Sequence, residues 1–429
     1  MSSFTLDNPE HIDCPTLYDV SLNKYRPIHS TDFVGGAAGS DAFGRLRVSN
    51  PEMVFNSKQI FDNQPLYWDD AQESGSGTSS TYSSFTASST LSVSASTAGK
   101  RTRQTFMRFN YQPSKSQLIF ITGILKASGG GSGIISRMGL FDDDNGLFLE
   151  CDAGIINLVR RTSTGGSVSN DTIPQSSWNL DKMDGNGASK ITLDFTKTQI
   201  LVIDFEWLGV GRVRFGFNVG GITYYVHQLS ATNNLTTVYM STPNLPVRYQ
   251  IINDGSGVAS TINCICSAVI SEGGKEEIAT NLYVSTGTTA ITGTKNQNNA
   301  ILGIKLKSAY KGCTIDIIDS SILMASSDIY EWTIVLNPTV AGTFTYSDVT
   351  NSALQKAIGN GTTNIASGGT VIAGGFGSSK SEIVGDQFKN LLKLGSSIGG
   401  TMDSLVLCIY PLGANNVNCY GSINYRQFN

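Results

Sequence analysis

The sequence is poor in charged residues. Asp, Glu, Lys and Arg make up 15% of its 429 residues, against about 25% in an average soluble protein. The net charge of −4 provides no strong field that would attract nucleic acid or an anionic membrane. The 46 glycines and abundant Ser, Thr and Asn are typical of short strands joined by many polar turns.

Long hydrophobic runs are also missing. No apolar stretch reaches the roughly 18 residues that a membrane-spanning helix needs. The first residues, MSSFTLDNPE, show no basic stretch followed by an apolar core. We therefore expect neither a membrane partner nor a secretory leader. The seven cysteines lack the spacing of a zinc site, and we expect buried free thiols in a chain made in a reducing cytosol.

The strongest structural signal lies between residues 190 and 228. Leu201, Ile203 and Phe205 recur at every second position, which places them on one face of a strand. Gly220 and Gly221 separate two further alternating runs and suit a two-residue hairpin, because both can adopt positive φ. The sequence therefore predicts an all-β protein with an antiparallel β-sandwich.

Composition divides the chain into three predicted parts. Residues 1–65 combine prolines, glycines and scattered apolar anchors without a period, which indicates an extended N-terminal docking arm. Residues 66–274 carry many alternating runs and predict a central β-sandwich. Residues 275–429 contain further strands between Gly, Asn and Pro turns and predict a second, C-terminal β domain.

Shorter segments give local predictions. The Ser/Thr-rich stretch that follows Asp70 is either a flexible linker or a hairpin of polar strands, and the spacing of its apolar residues favours the hairpin. A capping box from Ser352 to Gln355 predicts a short helix over residues 353–358. A second helical turn is expected near residues 388–392.

The segment SDAFGRLRVSNP, from Ser40 to Pro51, resembles an N-terminal signature of virion structural proteins of tailed bacteriophages. The run LVIDFEWLGVGRVRFGF and the C-terminal LVLCIYPLG and GSINYRQ look like the same group. The resemblance implies a structural role in a virion that is assembled in the bacterial cytoplasm. Other virion proteins would be its partners, and a homo-oligomer is expected, with a trimer favoured. The central part resembles a concanavalin-like lectin or glucanase sandwich, or a related jelly roll.

The signature contains a candidate docking segment. Arg45 and Arg47 alternate with Leu46 and Val48, which suggests a short strand with two guanidinium groups on one side. Arginine is favoured at protein interfaces because its planar fork makes paired hydrogen bonds. Inter-subunit docking, a local surface strand and nucleic-acid contact are the alternatives. The inter-subunit docking candidates are Phe43, Arg45, Leu46, Arg47 and Val48.

Two charged segments suggest ligands, each with a simpler alternative. Basic and aromatic residues alternate between Lys100 and Tyr111 and could contact a nucleic-acid strand, but strand spacing in an acidic chain argues against a nucleic-acid partner. The carboxylates of Asp142–Asp144 faintly resemble a calcium loop. Ala153 stands where an EF-hand would place its last Glu, so a hairpin turn is the alternative, and calcium binding stays open.

Catalytic signals are weak. Asp204 and Glu206 share one face of a strand, but Val202 replaces the first Glu of the Glu-x-Asp-x-(x)-Glu pattern that glucanases of this sandwich type carry. We expect solvent-facing carboxylates that pair with Arg212 or Arg214 across the strands. Nucleophile, zinc and nucleotide motifs are missing from the sequence. We therefore predict a protein that is not an enzyme and has no cofactor, with a glycan-cleaving enzyme as the less favoured alternative; apart from the open question of calcium at Asp142–Asp144, no metal site is predicted.

Aromatic residues favour an alternative function, a lectin-like module that adheres to host glycans. By alternation, Tyr225 and His227 lie opposite Tyr224 and Val226, so one face of that hairpin is exposed or covered by a partner. Trp207 could stack on a sugar ring, as aromatic side chains do in lectin-like sandwiches. The glycan-facing candidates are therefore Trp207, Tyr225 and His227, with core packing as the alternative.

Overall fold

The computed structural model describes residues 16–19, 24–27, 40–45, 47, 50–274, 278–325, 328–361, 363–378, 393–413 and 416–428. These residues form antiparallel β-sheets. Their only helical segments are two 3-10 turns, Gln175–Ser177 and Ser308–Tyr310. The predicted all-β antiparallel fold is therefore confirmed. In the described part of the chain, no helix is long and apolar enough to cross a membrane.

The N-terminal strands form a hairpin of their own. β1 (Thr16–Asp19) pairs with β2 (Lys24–Pro27) in an antiparallel register. Among the described strands, neither of them pairs with any other strand. The hairpin is therefore a separate two-stranded sheet.

The central sandwich contains two large sheets. Its strands are, in chain order, β3 (Glu52–Lys58), β4 (Trp68–Gly75), β5 (Thr78–Ser83), β6 (Ser88–Val93), β7 (Gly99–Thr105), β8 (Gln117–Ser128), β9 (Ile134–Phe141), β10 (Gly146–Asp152), β11 (Ile155–Thr162), β12 (Ser169–Pro174), β13 (Gln199–Phe205), β14 (Arg212–Val219), β15 (Ile222–Ser230), β16 (Val247–Asn253) and β17 (Ser260–Ser271). The seven-stranded sheet has the order β12-β11-β10-β9-β16-β7-β4. The eight-stranded sheet has the order β15-β14-β13-β8-β17-β6-β5, with β3 paired to β17.

The core of the sandwich lies between these sheets. Leu201, Ile203 and Phe205 of β13 face it, as their period of two predicts, and pack in one cluster with Met138 and Tyr249 of the opposite sheet. Burial of such side chains contributes roughly 25 cal/mol per Å² of apolar surface. Because successive side chains of a strand point to opposite faces, the residues that alternate with these in β13 point to the outer face of the eight-stranded sheet.

Two predicted hairpins are confirmed. Gly220 and Gly221 join β14 to β15 with φ values of 61° and 85°, the positive φ at both positions that a type I′ turn requires. The Ser/Thr-rich stretch forms the β5–β6 hairpin, and Phe85 lies fully exposed at its turn. Local turn chemistry and alternation were sufficient for both.

The C-terminal region forms further antiparallel sheets. Its strands are β18 (Thr280–Ser285), β19 (Ile291–Gly293), β20 (Asn299–Leu306), β21 (Thr314–Met324), β22 (Ile329–Leu336), β23 (Thr339–Val340), β24 (Ser347–Asp348), β25 (Leu354–Ile358), β26 (Ala366–Ser367), β27 (Thr370–Ser378), β28 (Ser404–Pro411) and β29 (Val417–Phe428). One sheet has the order β24-β25-β20-β28-β22-β27. A second is built on β29, which pairs with β18, β19 and β21, and β23 pairs with β26. The two larger sheets share a buried core.

The predicted helix over residues 353–358 is wrong. Leu354–Ile358 forms strand β25, which lies between β20 and β24 and buries Leu354 and Ala357. The Ser352 hydroxyl accepts a hydrogen bond from the Leu354 amide at 3.1 Å, but it also bonds β29 side chains instead of starting a helix. Sheet pairing therefore overrides the local capping pattern. The helical turn expected near residues 388–392 lies outside the described residues.

The three predicted parts are in contact. β3 lies within the predicted arm, yet it pairs with β17 of the central sandwich. The Asn244 side chain donates to the Gly312 carbonyl at 2.9 Å, and the Ile398 amide donates to Asp69 at 2.6 Å. The domain boundaries at residues 65 and 274 stay predictions.

Candidate functional site

Asp204 lies at the centre of a buried polar cluster on the outer face of the eight-stranded sheet. Its strand, β13, pairs with β8 and β14, and Asp204 stands opposite Arg214 in the register. The core-facing neighbours of Asp204 are Ile203 and Phe205. Asp204 itself has an exposed fraction of 0%. A carboxylate without water must be satisfied by protein donors, because an unpaired buried charge is strongly destabilising.

Four side chains donate to this carboxylate. Asp204 Oδ2 accepts from Arg47 Nη2 at 2.5 Å, from Arg214 Nη2 at 2.6 Å and from the Tyr225 hydroxyl at 2.6 Å. Asp204 Oδ1 accepts from the Ser116 hydroxyl at 2.6 Å. We call these five residues the Asp204 cluster. Burial and the adjacent carboxylate raise the pKa of Tyr225, so its hydroxyl keeps the proton that it donates.

Residues 40–45 and 47, which we call the arm-root segment, cover Asp204, Arg214 and Tyr225, and Arg47 belongs to both the segment and the Asp204 cluster. Arg214 Nη2 also donates to the Ser40 carbonyl at 2.7 Å, and its guanidinium carbon lies 4.1 Å from the centre of the Tyr225 ring. Arg212 Nε donates to the Ala42 carbonyl at 2.7 Å. Hydrogen bonds to charged groups contribute about 1.5–3 kcal/mol each. The segment is thus fixed to the sheet by side chains of β14.

A tight turn shapes the arm-root segment. Asp41 Oδ1 accepts from the Arg45 amide at 2.8 Å, and Asp41 Oδ2 accepts from Arg45 Nε at 2.8 Å. The guanidinium of Arg45 lies 4.6 Å from the centre of the Phe43 ring. Arg47 pairs with Glu272 as well as with the Asp204 cluster. The side chains of Arg45 and Arg47 therefore both contact residues of their own chain.

The docking candidates have contacts within this chain. Phe43, Arg45 and Arg47 belong to the arm-root segment, while Leu46 and Val48 lie outside the described residues. The expected short strand is not seen, because Arg45 and Arg47 lie outside the strands of the structure. Inter-subunit docking by these five residues stays a prediction.

The glycan-facing candidates are largely enclosed. Tyr225 is buried beneath the arm-root segment, and His227 is buried with Nδ1 accepting from the Asn179 amide at 3.2 Å. Trp207 is half-buried and donates to the Met240 carbonyl at 3.1 Å. Burial lowers the pKa of His227, which favours its neutral form. Glycan contact through these three residues stays a prediction. It would require the segments that cover them, such as the arm-root segment over Tyr225, to move.

The carboxylate pair does not face solvent as we expected. The predicted pairing of Asp204 with Arg214 is confirmed, but the arm-root segment excludes water from Asp204. Glu206 is half-buried, accepts from the Arg212 amide at 2.9 Å and has a pKa raised by burial. A nucleophile must reach its substrate. With its oxygens occupied by four donors, Asp204 is poorly placed for that role.

The basic segment that could contact nucleic acid is paired with carboxylates of the same chain. Arg101 Nε donates to Asp70 at 2.7 Å, and Arg103 lies fully buried beside the same carboxylate. Arg108 Nη1 donates to Asp142 at 2.6 Å. These three arginines therefore form ion pairs within the fold.

The acidic turn at Asp142–Asp144 is neutralised by three different cations. Asp142 pairs with Arg108, Asp143 with Arg248 at 2.7 Å, and Asp144 with Lys311 at 3.2 Å. Burial alone would raise the pKa of Asp142, but Arg108, the Asn145 amide and Lys311 hold that pKa below its usual range. Among the described residues, no group of three or more His, Cys, Asp or Glu is arranged to hold a metal ion.

The sequence matches no protein-family model and no curated protein sequence. The structure is similar to endo-1,3-beta-glucanase from Streptomyces sioyaensis, with 12% identity, a TM-score of 0.33, and coverage of 53% of this chain and 98% of that one. Lectin II from Ulex europaeus has 11% identity, a TM-score of 0.31 and coverage of 52% and 99%. The CBM2 module of Lactobacillus casei BL23 phage J-1 evolved Dit has 11% identity, a TM-score of 0.34 and coverage of 51% and 95%.

These solved structures include the lectin and glucanase classes that the central part of the sequence resembles.

Proposed function

We propose that this chain is a structural component of a phage virion that docks on the particle through its N-terminal arm. In this proposal the arm-root segment is the fixed base of the arm, and residues 1–39 contact a neighbouring subunit or another virion protein. The chain assembles as a homo-oligomer, with a trimer favoured. The β-sandwich and the C-terminal β region are the exposed body of the subunit.

The observation that carries the proposal is the contrast between the two parts of the arm. The arm-root segment is fixed to the sheet, because Arg47 donates to buried Asp204, and Arg212 and Arg214 donate to backbone carbonyls of the segment. The β1–β2 hairpin, in contrast, pairs only with itself among the described strands. An isolated two-stranded hairpin is at best marginally stable in water, so a surface outside this sheet would stabilise it.

The sequence signature coincides with the fixed part of the arm. The stretch SDAFGR, from Ser40 to Arg45, contains the Ser40 and Ala42 carbonyls that β14 binds, and Arg47 follows it. This placement supports a role in which the signature fixes the position at which the arm leaves the β-sandwich.

Light scattering coupled to size-exclusion chromatography tests the proposal on the full chain and on a variant that lacks residues 1–39. The variant keeps the arm-root segment, so its thermal midpoint should match that of the full chain. We expect the full chain to be oligomeric and the variant to be monomeric. A full chain that remains a folded monomer at high concentration, and that is absent from purified particles, would contradict the proposal.

A second candidate function is a glycan-binding module, and a cavity between the central and C-terminal parts favours it. Tyr310, Thr242 and Asn351 are among its lining residues. An aromatic ring together with hydroxyl and amide groups is the kind of surface that can bind a polyhydroxylated ring. A glycan array with the full chain tests this function, and silence across the array with an intact fold would count against it.

A further inference from the structure

Four of the described strands are eight or more residues long and pair with another strand on one side only: β4, β15, β21 and β27. The open side of such a strand presents unpaired N–H and C=O groups, to which a further strand can bond. Charged side chains, prolines or covering segments normally protect these edges. A long edge without such protection is therefore a candidate site for strand addition.

Three of the four edges are protected. β4 carries three acidic residues, and β21 carries two. β15 is covered by a neighbouring segment, because the Leu180 and Asp181 amides donate to the Val226 carbonyl at 3.0 and 3.1 Å. β27, with the sequence TVIAGGFGS, contains no charged residue and no proline. Among the described strands, only β22 pairs with it, so its outer edge is open to a further strand.

β27 also presents apolar side chains that the core of its own region does not use. Gly377 faces the core residue Tyr330, and a Cβ atom at Gly377 would lie 2.5 Å from the Tyr330 ring. The adjacent Phe376 points to the opposite face, because successive side chains of a strand alternate, and it is 75% exposed. Val371 is 59% exposed. Their coverage by added strands would remove apolar surface from water.

The N-terminal hairpin is a second incomplete sheet. β1 and β2 pair only with each other among the described strands, so each of them has an open side. Residues 28–39 connect Pro27 to Ser40 of the arm-root segment, and this connection can span at most about 45 Å (13 residues at ~3.5 Å each). Because every copy of the chain carries both an open hairpin and an open β27 edge, one copy can supply what the next copy lacks.

The expected trimer distinguishes two ways of covering β27. Pairing of β27 with β27 of a second copy uses the same surface twice and produces a two-fold dimer. Addition of the hairpin to β27 uses two different surfaces, and such a contact can close into a ring of three. A trimer therefore favours the hairpin as the occupant of the edge.

We propose that the β1–β2 hairpin of one copy adds to the open edge of β27 in a neighbouring copy and extends the six-stranded sheet of that copy to eight strands. Backbone hydrogen bonds provide the pairing, as in other cases of strand addition. Val371 and Phe376 lose exposure beside the added strands. This inference rests on the proposed function and names the surface on which the arm docks.

Photo-cross-linking of the full chain tests this surface. A benzophenone-bearing amino acid takes the place of Phe376, and unlabelled and isotope-labelled chains are mixed at a concentration where light scattering shows an oligomer. We expect mass spectrometry to find cross-links from position 376 to residues 16–27 of another copy. The same photoreactive group in place of Tyr283, which is 66% exposed on β18, is the control and should not reach the hairpin.

Charged variants of β27 test the same contact by affinity. Val371→Lys combined with Phe376→Lys places two ammonium groups beside the open edge without removing a buried side chain. We expect the protein concentration at the midpoint of oligomer dissociation to rise about tenfold or more, because charged side chains oppose strand addition. Tyr283→Lys makes the same kind of change on β18 and should leave this midpoint unchanged. Thermal melting shows whether each variant keeps its fold.

The outcomes separate this inference from the proposed function. Cross-links from position 376 to β27 of another copy would indicate two-fold pairing and overturn the inference, as would a yield at the hairpin no higher than that of the Tyr283 control. An oligomer that is lost on removal of residues 1–39, but is insensitive to the β27 variants, would overturn the inference and leave the proposed function standing. A full chain that stays monomeric at every concentration would remove both.

Discussion

At the scale of single residues, Asp204 combines a full negative charge with complete burial. Its four donors come from β8, β14, β15 and the arm-root segment or their adjoining residues. Removal of one partner from a buried ion pair usually costs more than the pair contributes, because the remaining charge is left without compensation. Asp204 therefore has a structural role that its place in a regular alternation does not reveal.

Asp204→Asn should lower the free energy of unfolding by about 3–5 kcal/mol, because Arg47 and Arg214 would then lie at a site without the carboxylate. Urea unfolding followed by fluorescence measures the change. Asp152→Asn, an exposed change of the same type on β10, serves as the control and should leave the midpoint unchanged. A similar midpoint for both variants would show that the Asp204 cluster does not stabilise the fold.

His227 makes a second prediction at this scale. Burial lowers its pKa in the folded chain, whereas an unfolded histidine titrates near about 6.5. The unfolded state therefore binds more protons below that pH, and the stability associated with neutral His227 is present above it and is lost as pH falls. We expect the urea midpoint to fall between pH 7 and pH 5.

His227→Asn, which keeps a side-chain acceptor, should reduce this pH dependence. His11 and His29 are present in both proteins, so the difference between the two titrations isolates His227. Equal losses of stability in the parent chain and the variant would rule out His227 as their source.

At the scale of elements, β14 connects the sandwich to the arm. Arg214 reaches Asp204 and the Ser40 carbonyl, and Arg212 reaches the Ala42 carbonyl. The two arginines are two residues apart on one strand, so their side chains share a face. The strand that supplies part of the core on one side thus holds the arm-root segment on the other.

Arg212→Ala should release part of the arm-root segment, because the Ala42 carbonyl would lose its charged donor. We expect faster tryptic cleavage after Arg45, with the strands of the two large sheets still resistant. Mass spectrometry of timed digests measures the rate. Arg426→Ala, an exposed arginine on β29, is the control, and an equal cleavage rate in both variants would contradict a role of Arg212 in holding the segment.

Elements were predictable where the signal was local. Alternation and Gly220-Gly221 predicted the β14–β15 hairpin, because turn type depends on the φ values of two adjacent residues. The capping pattern at Ser352 was equally local but misleading, because β20 and β24 pair with residues 354–358. A pattern read from a few residues cannot include the free energy of pairing with distant strands.

At the scale of the whole molecule, the sites depend on contacts between distant parts of the sequence. Arg47 and Asp204 are 157 positions apart, and the cavity is lined by residues of both the central and the C-terminal parts. The sequence predicted that Arg47 belongs to a docking segment and that Asp204 and Glu206 pair with Arg212 or Arg214. It could not predict that Arg47 and its segment cover Asp204, because the local pattern around neither residue contains that information.

Hydrogen–deuterium exchange across a concentration series tests the central claim, which is an arm with a fixed base and an outer part that docks elsewhere. We predict that residues 40–45 and 47 are protected at every concentration, because their contacts lie within one chain. Thr16–Asp19 and Lys24–Pro27 should become protected only where light scattering shows an oligomer. Equal protection of β1 and β2 in the dilute monomer, or rapid exchange throughout the arm-root segment, would contradict the account.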